Sequence, residues 1–142
     1  MIKNYLEKIK EEHIVDEKFK EKNIYDITTL LGNYFDGLYA GDIKKFSNIF
    51  HEQSHLYFAD GENITDWSRS VYFEKISSRV SPLSQGLARN DKIVSINIAG
   101  PNTAFAVVNC AIPPRYFTDY LSLLRTSNGW RIISKTFHTD SH

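Results

Sequence analysis

From Ile24 onward, apolar residues recur at steps of three and four (Ile24, Ile27, Leu31, Tyr34, Phe35, Leu38), a spacing that lays one wide stripe along a helix stopping at Gly41. Asp42 then stands where a cap is needed for a second, short helix, IKKFSNIF, with Ile43, Phe46, Ile49 and Phe50 on one side. SHLYFAD alternates and turns at Asp60 and Gly61, so it reads as a strand with His55 and Tyr57 on one face and Leu56 and Phe58 on the other. Between Trp67 and Val80 the period returns to the helical one through Val71, Tyr72, Ile76, Arg79 and Val80, with Asp66, Ser68 or Ser70 as the cap. Beyond a loop at Ser81–Asn90 come KIVSINIAG, TAFAVVNCAI and a final pair of alternating runs, all strand-like. Pro113 and Pro114 cannot donate to a ladder, so the sheet must turn or break there. Helix, helix, strand, helix and then four strands make an α+β domain over 23–142, with its helices on one side of a mostly antiparallel sheet. Residues 1–22 carry Ile2, Leu6 and Ile9 among many charges, and are expected to form a marginal helix or tail appended to that domain.

The last pair, FTDYLSLLRTSNGWRIISKTFH, carries the most specific expectation. Asn128-Gly129 favours a two-residue turn with positive backbone angles, which sets Ser127 opposite Trp130. Counting outward then pairs Leu123 with Ser134, Leu121 with Thr136 and Asp119 with His138. Asp119 and His138 would share a face that is apolar at the turn and polar at the far end, while Lys135 would lie on the opposite face.

Seventeen basic side chains balance seventeen acidic ones, so no charge excess points to nucleic acid or to anionic lipid. The single cysteine, Cys110, sits in an apolar run and reads as a buried thiol. Without a continuous apolar stretch, neither an export signal nor a membrane span is expected, and a cytoplasmic location follows as the expectation.

Candidate chemistry narrows to a few groups. Asp119 beside His138 is a carboxylate that can orient or charge an imidazole, an acid and base for proton transfer; the plain alternative is a cross-strand ion pair. His55, Tyr57, Trp67, Tyr72, Arg115, Tyr116 and Trp130 are candidate ligand-lining residues, apolar bodies with polar tips plus one cation for an anionic ligand. His51 with His55, and His138 with His142, have ligand-like spacing but no adjacent third ligand, so no metal is expected. Phosphate loops, dinucleotide fingerprints and nucleophile elbows are missing, and no cofactor is expected.

LGNYFDGLYAGDIKKFSNIFHEQSHLYF, SVYFEKI and FTDYLSLLRTSNGWRIISKTFH, and within them GLYAGD, DYLSLLR, NGW and IISKTF, resemble the nuclear transport factor 2-like superfamily, and within it the lumazine-binding and polyketide-cyclase-like group. The resemblance spans about residues 24 to 138. It implies a curved antiparallel sheet wrapped around three helices, a cone with an internal cavity, and pairing into homodimers through the outer sheet face. Members include isomerases, dehydratases, cyclases and noncatalytic binders, so the resemblance leaves two readings. One is a cofactor-free enzyme acting on a small apolar or aromatic molecule through Asp119 and His138; the other is a noncatalytic module for ligands or proteins.

Overall fold

The computed structural model describes the backbone of residues 2–141, and the side chains of residues 4–11 and 17–141 within it. Helix α1 (Ile2–Ala40) is followed by α2 (Ile43–Ser47), β1 (Phe50–Asp60), β2 (Asn63–Ser68) and α3 (Arg69–Ser78). Strands β3 (Lys92–Ala99), β4 (Thr103–Ile112), β5 (Arg115–Thr126) and β6 (Gly129–Ser141) complete the chain. One six-stranded sheet runs in the order β2-β1-β6-β5-β4-β3. Its pairs are antiparallel except β1 with β6, which run parallel and are joined through β2, α3 and the β3–β5 strands. The α+β class is the one expected, and so is the order of elements apart from an added strand, β2, before α3. The expectation of a marginal helix or tail at residues 1–22 is answered by continuous helix from Ile2 to Ala40. Lys and Glu dominate those turns, and no proline or glycine interrupts the helix before Gly32.

Ile27, Leu30, Leu31, Tyr34, Phe35 and Leu38 bury the inner stripe of α1 against the concave face of the sheet, whereas Ile24, at the head of the expected stripe, is exposed. Asp42 caps α2 by accepting from the Lys45 amide at 3.1 Å, which turns the chain back and drives Phe46 into the core. Phe46 comes so close to α1 that a Cβ on Gly37 would stand 2.6 Å from its ring. Rings of Tyr34, Phe46, Phe50 and Tyr72 then fill the centre of the cone at centroid separations of 5.3 to 5.8 Å.

Strand β2 was not expected. NITDWS has no apolar alternation, since it lies at the sheet edge with Ile64 exposed, and only Trp67 turns inward beside Leu56. Ser68 is the cap of α3, accepting from the Val71 amide. The turn at Pro113–Pro114 separates β4 from β5, as expected.

Candidate functional site

The final hairpin departs from the expected register, and the departure builds the site. Among the described residues none other than glycine has a positive φ, so Asn128-Gly129 cannot be the central pair of a turn that needs two. Gly129, at φ 96°, instead closes a loop of Ser127 and Asn128, with Thr126 Oγ1 accepting from the Asn128 amide and donating to the Gly129 carbonyl. Thr126 therefore faces Gly129, a two-residue displacement that leaves the faces unchanged. Between the pairs Leu123–Ile132 and Ser122–Ser134, Ile133 is an extra residue, and a one-residue bulge does exchange the faces.

Beyond the bulge, Asp119 lies opposite Phe137, and His138 lies opposite Thr118 on the outer face. The expected pairing of Asp119 with His138 is thus corrected: His138 is exposed and bonds Asp140 at 2.9 Å. Lys135, expected on the outer face, turns inward and is 4% exposed, beside an Asp119 that is fully buried.

Around these two residues the cone closes a polar cluster. Tyr34 on α1 donates its hydroxyl to Asp119 Oδ2 at 2.6 Å, and Lys135 Nζ donates to the Tyr34 oxygen at 2.7 Å and to the Tyr72 oxygen at 3.3 Å. Lys135 Nζ stands 3.6 Å from Asp119 Oδ2, which also accepts from the Cys110 thiol at 3.3 Å. The other carboxylate oxygen, Asp119 Oδ1, is buried with no hydrogen-bond partner among the described residues. Rings of Tyr34, Tyr72, Phe117 and Phe137 cage the ammonium with centroids 5.0 to 6.0 Å away.

The electrostatics follow from burial and from this one carboxylate. Burial pulls the Lys135 ammonium toward its neutral form, but Asp119, with Tyr72 and Cys110, outweighs it and raises its pKa above the ordinary value. Burial, reinforced by Asp119, pushes the Tyr34 phenol and the Cys110 thiol well up. Tyr72 also rises through burial, with Lys135 opposing. At neutral pH the Lys135 ammonium, both phenols and the thiol therefore all keep their protons around Asp119.

Toward the open ends of the strands, Phe58 packs on Trp67 and on Phe137, each at 5.1 Å, and Phe137 packs on Phe117 at 5.9 Å. These four rings form a collar above the cluster. A groove of about 320 Å³, lined by Phe58, Ala59, Asp60, Phe137, His138 and Thr139, runs along its outside. A larger cleft, of about 570 Å³, lies at the opposite end between α1, α2 and the hairpin tip, where Trp130 buries its ring and donates to Asn23 Oδ1 at 3.2 Å.

Of the candidate ligand-lining residues, Trp67, Tyr72 and Arg115 fall on the concave side, Tyr72 within the cluster. His55 and Tyr57 lie on the convex side, stacked on each other, with His55 Nδ1 2.6 Å from Asp66 Oδ1. Tyr116 takes the outward parity of β5, and Trp130 belongs to the far cleft. His51 and His55 share a strand, on which four residues span about 13 Å, and His51 accepts from the Gln53 amide. His142 lies outside the described residues, so its spacing from His138 has no structural counterpart. Among the described residues, no three or more His, Cys, Asp or Glu side chains are grouped as a metal would need. Tyr34, Lys135 and Cys110 were not foreseen as site residues. The signal available was a tyrosine in the middle of the buried stripe of α1.

A curved open sheet around three helices is the NTF2-like fold. The chain belongs to the family described as "Putative lumazine-binding", whose sequence pattern matches residues 22–138. Among solved structures, an NTF2-like protein from Shewanella baltica superposes with a TM-score of 0.75 at 24% identity, covering 85% of this chain and 96% of that one. One from Silicibacter pomeroyi gives 0.72 at 19%, covering 85% and 98%. A ketosteroid isomerase-like protein from Erwinia carotovora atroseptica gives 0.65 at 13%, covering 83% and 96%. A curated relative, the DNA-directed RNA polymerase subunit beta of Eimeria tenella, is 31% identical across 60% of this chain. The match takes in 11% of that protein's length and carries none of its activity here. No helix among the described residues is long and apolar enough to cross a membrane.

Proposed function

We propose that the chain binds a small, flat, largely aromatic molecule within the cone, using Asp119, Lys135, Tyr34 and Tyr72 as a polar floor and Phe58, Trp67, Phe117 and Phe137 as an apolar collar. Asp119 Oδ1 is the observation that carries this reading. A buried oxygen left without a donor costs about 1–3 kcal/mol, and more when charged. An N–H or O–H of a ligand would supply that donor, while Lys135 and Tyr72 offer donors to a ligand carbonyl. Lumazine, named in the family's description, carries both kinds of group on a planar ring system. Entry requires Phe58 and Phe137, which line both the collar and the outer groove, to swing aside.

The same groups support acid–base chemistry of the isomerase, dehydratase or cyclase kind. Asp119 would accept a proton beside a carbonyl whose oxygen is held by Tyr72 and Lys135, the role that His138 cannot fill from the outer face. A noncatalytic ligand-binding or protein-interaction module is the alternative, and it needs only the shape and the anchors. We also propose pairing with a second copy through the outer face. That reading is supported by Phe105, Tyr120 and Leu124, which are exposed there although large and apolar.

Equilibrium dialysis against lumazine tests the pocket. Saturable binding that weakens at least tenfold in a folded Asp119→Asn variant is expected. Absence of saturable binding, or an affinity indifferent to Asp119→Asn, would overturn the reading.

A further inference from the structure

Helix α3 and strand β3 are joined by residues 79–91, and the end of this connection lies over the seam between α1 and β4. A cavity of about 10 Å³ opens there, lined by Phe35, Leu38 and Tyr39 of α1, Asn90 and Asp91 of the connection, and Cys110 of β4. It has room for about one water molecule. The same Cys110, 3% exposed, donates its thiol to Asp119 Oδ2 at 3.3 Å. One side chain thus joins the seam to the polar floor.

The connection is fastened to a single turn of α1. The Leu83 amide donates to the Tyr39 carbonyl at 3.0 Å, and the Tyr39 hydroxyl donates to the Leu87 carbonyl at 2.6 Å. Arg89 Nη1 donates to Asp36 Oδ1 at 2.7 Å, with its guanidinium 5.2 Å from the centre of the Tyr39 ring. Of residues 80–91, all described, only Pro82 is buried. A segment with few buried apolar contacts and exposed hydrogen bonds belongs to the least stable part of a fold. Within it, the Gly86 amide bonds the Leu83 carbonyl at 3.1 Å and the Leu87 amide the Pro82 carbonyl at 3.0 Å, so the turn keeps its own shape when it moves.

The charges are arranged for release. Arg89 also donates from Nε to Asp91 Oδ2 at 3.0 Å, and Asp36 also faces Lys45 Nζ at 4.0 Å. Parting Arg89 from Asp36 therefore leaves a neutral pair on each side, Arg89 with Asp91 on the connection and Asp36 with Lys45 on the body. No charge is stranded. All four side chains are partly open to water, where such contacts break and re-form at little cost.

We propose that residues 80–91 form a strap closing a second entrance to the polar floor, with Arg89 as its latch on Asp36. Closed, the strap keeps the floor dry. Opened, it admits water and small solutes to Cys110 and, past it, to the Asp119 carboxylate. With the aromatic end blocked by a ligand, the seam is the side on which Asp119 exchanges a proton with solvent. The strap works in the same way whether the collar is full or empty.

Alkylation of Cys110 by iodoacetamide in the folded full chain, followed by mass spectrometry, reads the opening. Arg89→Gln and Asp36→Ala should each speed the reaction roughly fivefold or more over the parent, with Arg89→Lys, a charge without the fork, in between. In Arg89→Gln the rate should stay flat as urea is raised below the unfolding transition, because opening a strap exposes little surface. Hydrogen exchange of the Leu83 amide should quicken with it, while amides in the middle of β5 keep the parent's rate. An alkylation rate equal to the parent's in both variants would overturn the strap. An acceleration that climbs steeply with urea would also overturn it, since Cys110 would then be reached through global unfolding and Arg89 would be a stabilising contact only.

Discussion

Lys135 and Asp119 face each other across 3.6 Å in a place nearly closed to water, where such a pair is weak evidence of added stability. Lys135→Met leaves a buried carboxylate without its cation, and a loss of about 3–5 kcal/mol is expected from denaturant unfolding. Asp119→Asn combined with Lys135→Met should cost less than the two separate losses together, by about 1–3 kcal/mol. Strict additivity would show that the two charges are not coupled. Cys110, buried and held protonated beside Asp119, should resist alkylation in the native protein and react only on unfolding, as mass spectrometry with iodoacetamide would reveal. Half of this pair was legible in the sequence, because Asp119 lies in an alternating strand between the inward Phe117 and Leu121. Lys135 was not, because its face depends on a bulge that leaves no mark in the composition of IISKTF.

Among the elements, α1 and α2 were readable because the stripe period and the Asp42 cap are local properties, set by residues within a turn or two of each other. Strand β2 was hidden because an exposed edge strand needs no alternation. The turn of the last hairpin was misread through Gly129, which supplies the positive φ at the end of the loop instead of at its centre. Gly37 makes the contact between α1 and α2 testable. Alanine would gain about 1 kcal/mol of helix propensity, yet its methyl would press on the buried Phe46 ring, and overpacking costs about 1–3 kcal/mol. A lower thermal midpoint for Gly37→Ala is therefore expected; an increase would mean that Phe46 can step back.

At the scale of the whole molecule, the buried cluster makes the cone sensitive to alkali. Cys110, Tyr34 and Lys135 all hold their protons more tightly in the folded state than their ordinary values of 9.0, 10.0 and 10.5 allow. Stability from each is complete below that ordinary value and is lost as pH rises toward the raised one. Urea midpoints should thus fall above about pH 9, with each extra proton adding up to roughly 1.4 kcal/mol per pH unit. Tyr34→Phe should flatten the decline between pH 10 and 11, and an unchanged slope would show that Tyr34 does not hold its proton in this way. Sedimentation at micromolar concentration tests pairing: a dimer that Tyr120→Lys reduces to a monomer is expected, and a monomeric parent protein would count against it. The extra residue at Ile133 bears also on how such a cone can diverge. Were Ile133 to pair regularly with Ser122 instead of bulging, Ser134, Thr136 and His138 would turn into the interior and Lys135 would be expelled, replacing an ammonium floor by hydroxyls and an imidazole while every other strand keeps its place. Whether one residue of β6 bulges or pairs is thus enough to give the same scaffold a different interior chemistry.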